Sequence, residues 1–188
     1  MNVLLDFIDE FNLAPNNKVY CLKVNSFQQI NRNILDQFLA AEEFYEHSHW
    51  IQGRWENTYC PITLLPTVKK LFEQVIQWTS QKFKHSLIIP HSVPGMENNG
   101  FWFNQMPPES KTGLHDHKSA SFLSGVYYLK VPENSGNIIF EEGENIREIQ
   151  SIEGNLLLFS PSLMHRVTEN RSASERVSLA FNLYTLPL

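Results

Sequence analysis

RVSLAFNLY, residues 176–184, places Val177, Leu179, Phe181 and Leu183 on one side of an extended chain and Arg176, Ser178, Ala180 and Asn182 on the other. A period of two is the signature of a strand with two unlike faces. The apolar face belongs in a core. The other face is small-sided and carries a long cation at its end. An exterior face would be dominated by long polar side chains, so this one reads as the wall of a cavity. Arg176 offers a rigid fork of donors for a carboxylate, and Ser178 on the same face adds one more. The bland alternative is a surface arginine paired with Glu175 or Glu169.

Working outward, residues 101–106, 123–131, 137–140 and 155–159 also read as strands. Between them lie Pro- or Gly-bearing connections: Pro107-Pro108, residues 132–136, Gly143, Gly154 and residues 170–174. Many short strands at this spacing indicate an antiparallel sandwich or barrel. Upstream, residues 18–24 (KVYCLKV) alternate well enough for an edge strand. Residues 27–41 repeat apolar side chains at Ile30, Ile34, Leu35, Phe38 and Leu39, a helical stripe. Residues 47–60 are polar and aromatic, contain Gly53 and lack clear periodicity, so an ordered loop is expected there. Pro66 opens a second helix, where its missing N–H is harmless. Val68, Leu71, Phe72, Val75, Ile76 and Phe83 mark the buried side of that helix, with Trp78 near its edge. Both helices should pack on the outside of one sheet. No repeat or long linker divides the chain. One domain over residues 1–188 is expected, with a strand and supporting helices up to residue 95 and a β core over residues 96–188.

Composition narrows the function classes. A chain of 188 residues with 42% hydrophobic and 19% charged residues can bury a core without staples. The formal net charge of −5, with scattered basic residues, gives no sign of nucleic acid binding. Acidic residues interrupt the first segment, MNVLLDFIDEF, with no basic region before it, so it does not read as a signal peptide. No apolar stretch approaches membrane-spanning length. Cys21 and Cys60 are too few for a disulfide framework, and a cytoplasmic, reducing setting is the expectation.

Of seven histidines, His115 and His117 in GLHDHKS are one residue apart. In an extended segment both imidazoles face one side and Asp116 the other. His165 follows LLLF and the turn SPS, where a returning strand can bring it across the barrel as a third ligand. Three imidazoles suit Fe(II), Zn(II), Ni(II) or Cu(II) and leave coordination positions open for chemistry. His47 and His49 form a second pair with no third ligand nearby, and read as polar loop residues.

Four segments taken in order, FWFNQMPPESKTGLHDH, LSGVYYLKVPENSG, LLLFSPSLMHRV and SERVSLAFNL, resemble the Fe(II)/2-oxoglutarate-dependent oxygenases, within them the small putative oxygenases related to prolyl hydroxylases. The resemblance spans residues 101–183 and implies a double-stranded β-helix, the jelly-roll or cupin-like barrel. It also implies Fe(II) and 2-oxoglutarate as cofactors, and O2 and an unidentified substrate as partners. His115 and His165 match the first and distal iron ligands. The middle position, acidic in most of the superfamily, falls on His117, with Asp116 as the alternative ligand if the strand bulges, or as a support to a ligand's second nitrogen. Arg176 matches the arginine that binds the distal carboxylate of 2-oxoglutarate, and Ser178 completes its R-x-S. Tyr127 and Asn104 are the residues that the resemblance suggests for holding the cosubstrate. Only one of Tyr127 and Tyr128 can face the cavity, and core packing is the competing role. The direction of Trp102 is open. The implied reaction is hydroxylation of a C–H bond with release of succinate and CO2. The alternatives are a cupin-type three-histidine enzyme without 2-oxoglutarate, or a β-sandwich binding module. Residues 47–59 are expected either to wall the substrate or to join two chains as a homodimer.

Overall fold

A computed structural model of the chain describes residues 4–14, 17–51, 53–91, 100–117 and 121–186. In chain order the strands and helices are β1 (Leu5–Ala14), β2 (Asn17–Val24), α1 (Phe27–Ala40), β3 (Glu46–Ile51), β4 (Arg54–Tyr59), α2 (Pro66–Phe83), β5 (Leu87–Ile88), β6 (Phe101–Met106), β7 (Thr112–His115), β8 (Leu123–Lys130), β9 (Ile138–Glu142), β10 (Asn145–Ile149), β11 (Asn155–Phe159), β12 (Met164–Val167) and β13 (Arg176–Thr185). The larger sheet runs β1-β2-β11-β8-β13-β6-β4-β3, with β5 added against β13; the smaller runs β10-β9-β12-β7. From β6 onward the chain alternates between the sheets except at the β9–β10 hairpin, with β6, β8, β11 and β13 in the larger and β7, β9, β10 and β12 in the smaller. That alternation is the jelly-roll path. The two sheets keep separate hydrogen-bond ladders, so the barrel is an open one.

Two cores flank the larger sheet. On its outer side, Val177, Leu179, Phe181 and Leu183 of β13 join Leu22, Phe101, Phe103 and Tyr127 beneath the helices. α1 contributes Ile30, Ile34 and Phe38, and α2 contributes Val68, Leu71, Phe72 and Val75. Fully burying each such side chain contributes about 1.5–3 kcal/mol. Between the sheets a smaller cluster joins Val126, Tyr128, Ile138, Phe140, Leu157, Phe159 and Leu163. Gly125 is required where β8 crosses β13, because a Cβ there would lie 2.3 Å from the Phe181 ring.

Several expectations are corrected. Residues 17–24 form an interior strand, because an unforeseen β1 covers the edge. In α1, Leu39 is exposed while Asn31 is buried; at 3.6 residues per turn Leu39 lies about half a turn from Ile30, and Asn31 lies within the apolar face. Residues 47–60 fold largely as the β3–β4 hairpin, closed through Gly53 at φ +83°. His49 there adopts φ +60°, which breaks the alternation that would have revealed β3. The first half therefore supplies five of the strands rather than one. Its expected boundary at residues 95–96 lies outside the described residues. Cys21 and Cys60 are free thiols, and among the described residues no helix is long and apolar enough to cross a membrane.

Candidate metal and cosubstrate site

β7 and β12 are antiparallel neighbours in the smaller sheet, and their register sets His115 directly opposite His165. His117 lies just beyond β7, where its backbone N–H donates to the Pro161 carbonyl at 2.8 Å. The ring centroids of the three histidines are 4.3, 5.0 and 5.4 Å apart, and one ring nitrogen from each lies within 4.8 Å of the others. Among the described residues this is the one group of histidine, cysteine and carboxylate side chains placed to share a metal ion. Asp116 lines the same cavity but contributes no ligand atom to the cluster.

Hydrogen bonds orient each ring. His115 Nδ1 lies 2.9 Å from the Gly113 carbonyl and His165 Nδ1 lies 2.8 Å from the Leu163 carbonyl. A carbonyl only accepts, so both Nδ1 atoms carry the proton and both Nε2 atoms present lone pairs. His117 Nδ1 meets side chains instead, Ser124 Oγ at 2.8 Å and Asn182 Oδ1 at 3.3 Å. Phe159 and Phe140 pack on His165, and Trp102 meets His117 edge-on at 5.7 Å.

This apolar setting favours the neutral forms of His117 and His165. Burial, reinforced by His115 nearby, pushes His117 down to about 4 and His165 down to about 3. Unfolded histidines hold protons up to about pH 6.5, so below that value the unfolded chain binds more protons than the folded one. The metal-free chain should therefore lose stability as pH falls from about 6.5 toward 4. Melting temperatures measured across that window check this; a flat profile would contradict the burial of the two rings.

Arg176 opens β13 opposite Met106 and is only 2% exposed. Neither Glu175 nor Glu169 pairs with it; Glu169 bonds Arg171 instead. Its guanidinium contacts Met106 Sδ at 2.9 Å and Ser151 Oγ at 3.3 Å, stands 5.2 Å from the Tyr128 ring centroid, and leaves Nε without a partner. Burial works against its charged form. A buried cation held only by neutral groups is costly, so this position suits an anionic ligand. The Tyr128 hydroxyl lies beside Arg176 and Ser151 without a hydrogen bond of normal geometry, and Asn104 Oδ1 is likewise buried and unpartnered. Ser178 stands opposite Asn104 on β6 and Tyr128 on β8.

These groups and the three histidines line one cavity of about 560 Å³ between the sheets, within the usual range for a small-molecule site. Asn104, Arg176 and Ser178 all line it, and Trp102 turns into it. Tyr127 does not. Its hydroxyl donates to Asn31 Oδ1 in the outer core, and Tyr128 takes the cavity position. Strand alternation left that choice open; the β8–β13 register, which sets Tyr128 against the cavity-facing Ser178, decides it. The hairpin supplies one wall of the cavity, one of the two roles expected of residues 47–59, through His49, Glu56, Asn57 and Tyr59. Ser48 Oγ links His49 Nδ1 at 2.7 Å to the Tyr59 hydroxyl at 3.1 Å.

A family model described as putative 2OG-Fe(II) oxygenase matches residues 100–151 and 141–182, the stretch that contains all three histidines and Arg176. Residues 100–182 thus resemble the 2OG-Fe(II) oxygenase superfamily. The chain's fold is shared with a Pseudomonas putida prolyl-4-hydroxylase (14% identity, 89% of this chain and 88% of that one, TM-score 0.59). A Trichoplax adhaerens prolyl hydroxylase, solved in complex with a hypoxia-inducible-factor peptide fragment, is similar over 84% of this chain and 79% of its own (15% identity, TM-score 0.63). The 2-oxoglutarate-dependent epimerase SnoN of nogalamycin biosynthesis is similar over 89% and 77% (12% identity, TM-score 0.68). No curated protein matches the sequence. That family's cofactors are Fe(II) and 2-oxoglutarate, and the donor set here fits both. Three imidazoles suit a divalent ion with open positions, and a buried guanidinium suits a dicarboxylate.

Proposed function

We propose that this oxygenase hydroxylates a C–H bond of a protein side chain or small metabolite, turning 2-oxoglutarate and O2 into succinate and CO2 as the second oxygen atom enters the substrate. The observation that carries the proposal is a buried guanidinium with no carboxylate partner among the described residues, in the same cavity as three convergent imidazoles. His115, His117 and His165 would hold Fe(II) through Nε2, and Arg176 the distal carboxylate of 2-oxoglutarate. Ser178, Tyr128 and Asn104 would flank the cosubstrate, with Ser178 donating to it. When bound, Fe(II) and 2-oxoglutarate would supply the electrons that activate O2, the oxidant. The chain supplies orientation and exclusion of water. Phe140, Phe159 and Trp102 keep bulk solvent from the imidazoles, while His49, Asn57 and Tyr59 wall the side where substrate would enter. A cupin-type enzyme without 2-oxoglutarate gives Arg176 no purpose, and a binding module gives the imidazoles none. Residues 1–188 would act as one oxygenase domain.

Incubating the Fe(II)-loaded protein with 2-oxoglutarate and O2 should give succinate in a slow basal reaction, accelerated by the right peptide or metabolite. Absence of succinate from metal-loaded protein, with and without candidate substrates, would overturn the proposal.

A further inference from the structure

His115 and His165 are oriented by backbone carbonyls, but His117 is held by two side chains, and this difference carries an inference that rests on the iron-site reading above. Ser124 is fully buried on β8, and its Oγ lies 2.8 Å from His117 Nδ1 and 2.7 Å from Asn182 Oδ1. Asn182 lies opposite Ser124 on β13, with its backbone N–H fixed on the Gly100 carbonyl. The three groups can be protonated in two self-consistent ways. In one, His117 Nδ1–H donates to Ser124 Oγ, whose O–H donates to Asn182 Oδ1. In the other the Asn182 amide is turned over, its NH2 donates to Ser124, and Ser124 donates to His117 Nδ1. The second puts the ring proton on Nε2 and closes that ring to a metal. Only the first leaves the lone pair free.

We infer that Ser124 and Asn182 are the positioning residues of the second iron ligand: they fix His117 in its metal-binding tautomer and raise its donor strength where most of the superfamily has a carboxylate. A neutral imidazole donates less charge than a carboxylate, and a polarised relay ending on an amide oxygen returns part of it. Asn182 is on the same face of β13 as Arg176 and Ser178, so one strand would hold both the cosubstrate and the ligand that the superfamily varies.

The test uses Co(II) as the probe, without turnover. Asn182→Leu and Ser124→Ala should weaken Co(II) binding about 10- to 100-fold. Asn182→Asp, whose carboxylate can only accept, should bind at least as tightly as wild type. In Co(II)-loaded wild type, proton NMR should show three hyperfine-shifted, exchangeable imidazole N–H signals. In Asn182→Leu, one should exchange with solvent while the two carbonyl-bonded signals persist, and their persistence also shows that the site is folded. Asn182→Leu binding Co(II) like wild type, or Asn182→Asp binding as weakly as Asn182→Leu, would overturn the relay. His165→Ala binding Co(II) as tightly as wild type would instead overturn the iron-site reading and the relay with it.

Discussion

Arg176→Met should abolish 2-oxoglutarate binding at working concentrations and at the same time stabilise the metal-free chain. The two effects have one cause. Among the described residues Arg176 is the largest fully buried side chain, and its charge meets a thioether, a hydroxyl and an aromatic ring but no anion. Methionine fills much of that volume without a charge to desolvate. Replacement of buried ionic groups by apolar ones of similar size is often stabilising by about 1–4 kcal/mol, and for a chain of this size each kcal/mol moves the melting temperature by about 2–4 °C. Removing the guanidinium also takes away the charge-assisted pair with the distal carboxylate. A loss of about 2–4 kcal/mol corresponds to roughly 30- to 1,000-fold in affinity. Melting curves check both halves. Wild type should gain stability as 2-oxoglutarate is added to the metal-loaded protein, and the variant should start higher and stay level. A variant that is both less stable and still stabilised by 2-oxoglutarate would remove Arg176 from its role. Fe(II) retention should be nearly unchanged, since the guanidinium touches no imidazole.

His165→Ala should lose the metal and all 2-oxoglutarate turnover. Its ring contacts both other histidines and is the most buried of the three. With it gone, two neutral donors remain, and the fall in affinity should exceed the roughly 10- to 100-fold expected from removing an outer partner. The substitution also frees the Leu163 carbonyl and opens a small cavity, costing about 1–3 kcal/mol. Metal content after dialysis, read beside a melting curve, separates loss of a ligand from loss of the fold. Retention of stoichiometric Fe(II) by a folded His165→Ala protein would mean that the iron is held elsewhere.

The sequence made β13 and the chemistry at its face legible because a period of two is unbroken there. β6 and β11 were legible for another reason, short apolar runs beside turn residues, and their bounds coincide with the expected ones. The His115–His165 partnership is different in kind. Spacing brought His115 and His117 together, but only the β7–β12 register pairs His115 with a residue fifty positions away. Short strands such as β7 and β12, four residues each, carry too few alternations to stand out. Tyr127 was the natural guess over Tyr128 because both are aromatic on one apolar strand; the choice depends on β13, a neighbour far along the chain. The hairpin stayed hidden because His49 departs from extended backbone in mid-strand, which turns it toward the cavity and removes the periodic signal together. Such a left-handed, non-glycine residue is a strained position, and strain of this kind gathers at functional walls. Asn182 was placed on the cavity side of its strand, but its side-chain partners are Ser124 on β8 and His117, two residues past β7, which no local pattern links.

The most direct measurement is an anaerobic calorimetric titration, first of Fe(II) into the metal-free chain and then of 2-oxoglutarate into the loaded one, repeated on Arg176→Met and His165→Ala. One Fe(II) per chain, followed by one 2-oxoglutarate that binds tightly only when iron, the third imidazole and the guanidinium are all present, is the predicted result. Tight 2-oxoglutarate binding that survives loss of either side chain would contradict the assignment.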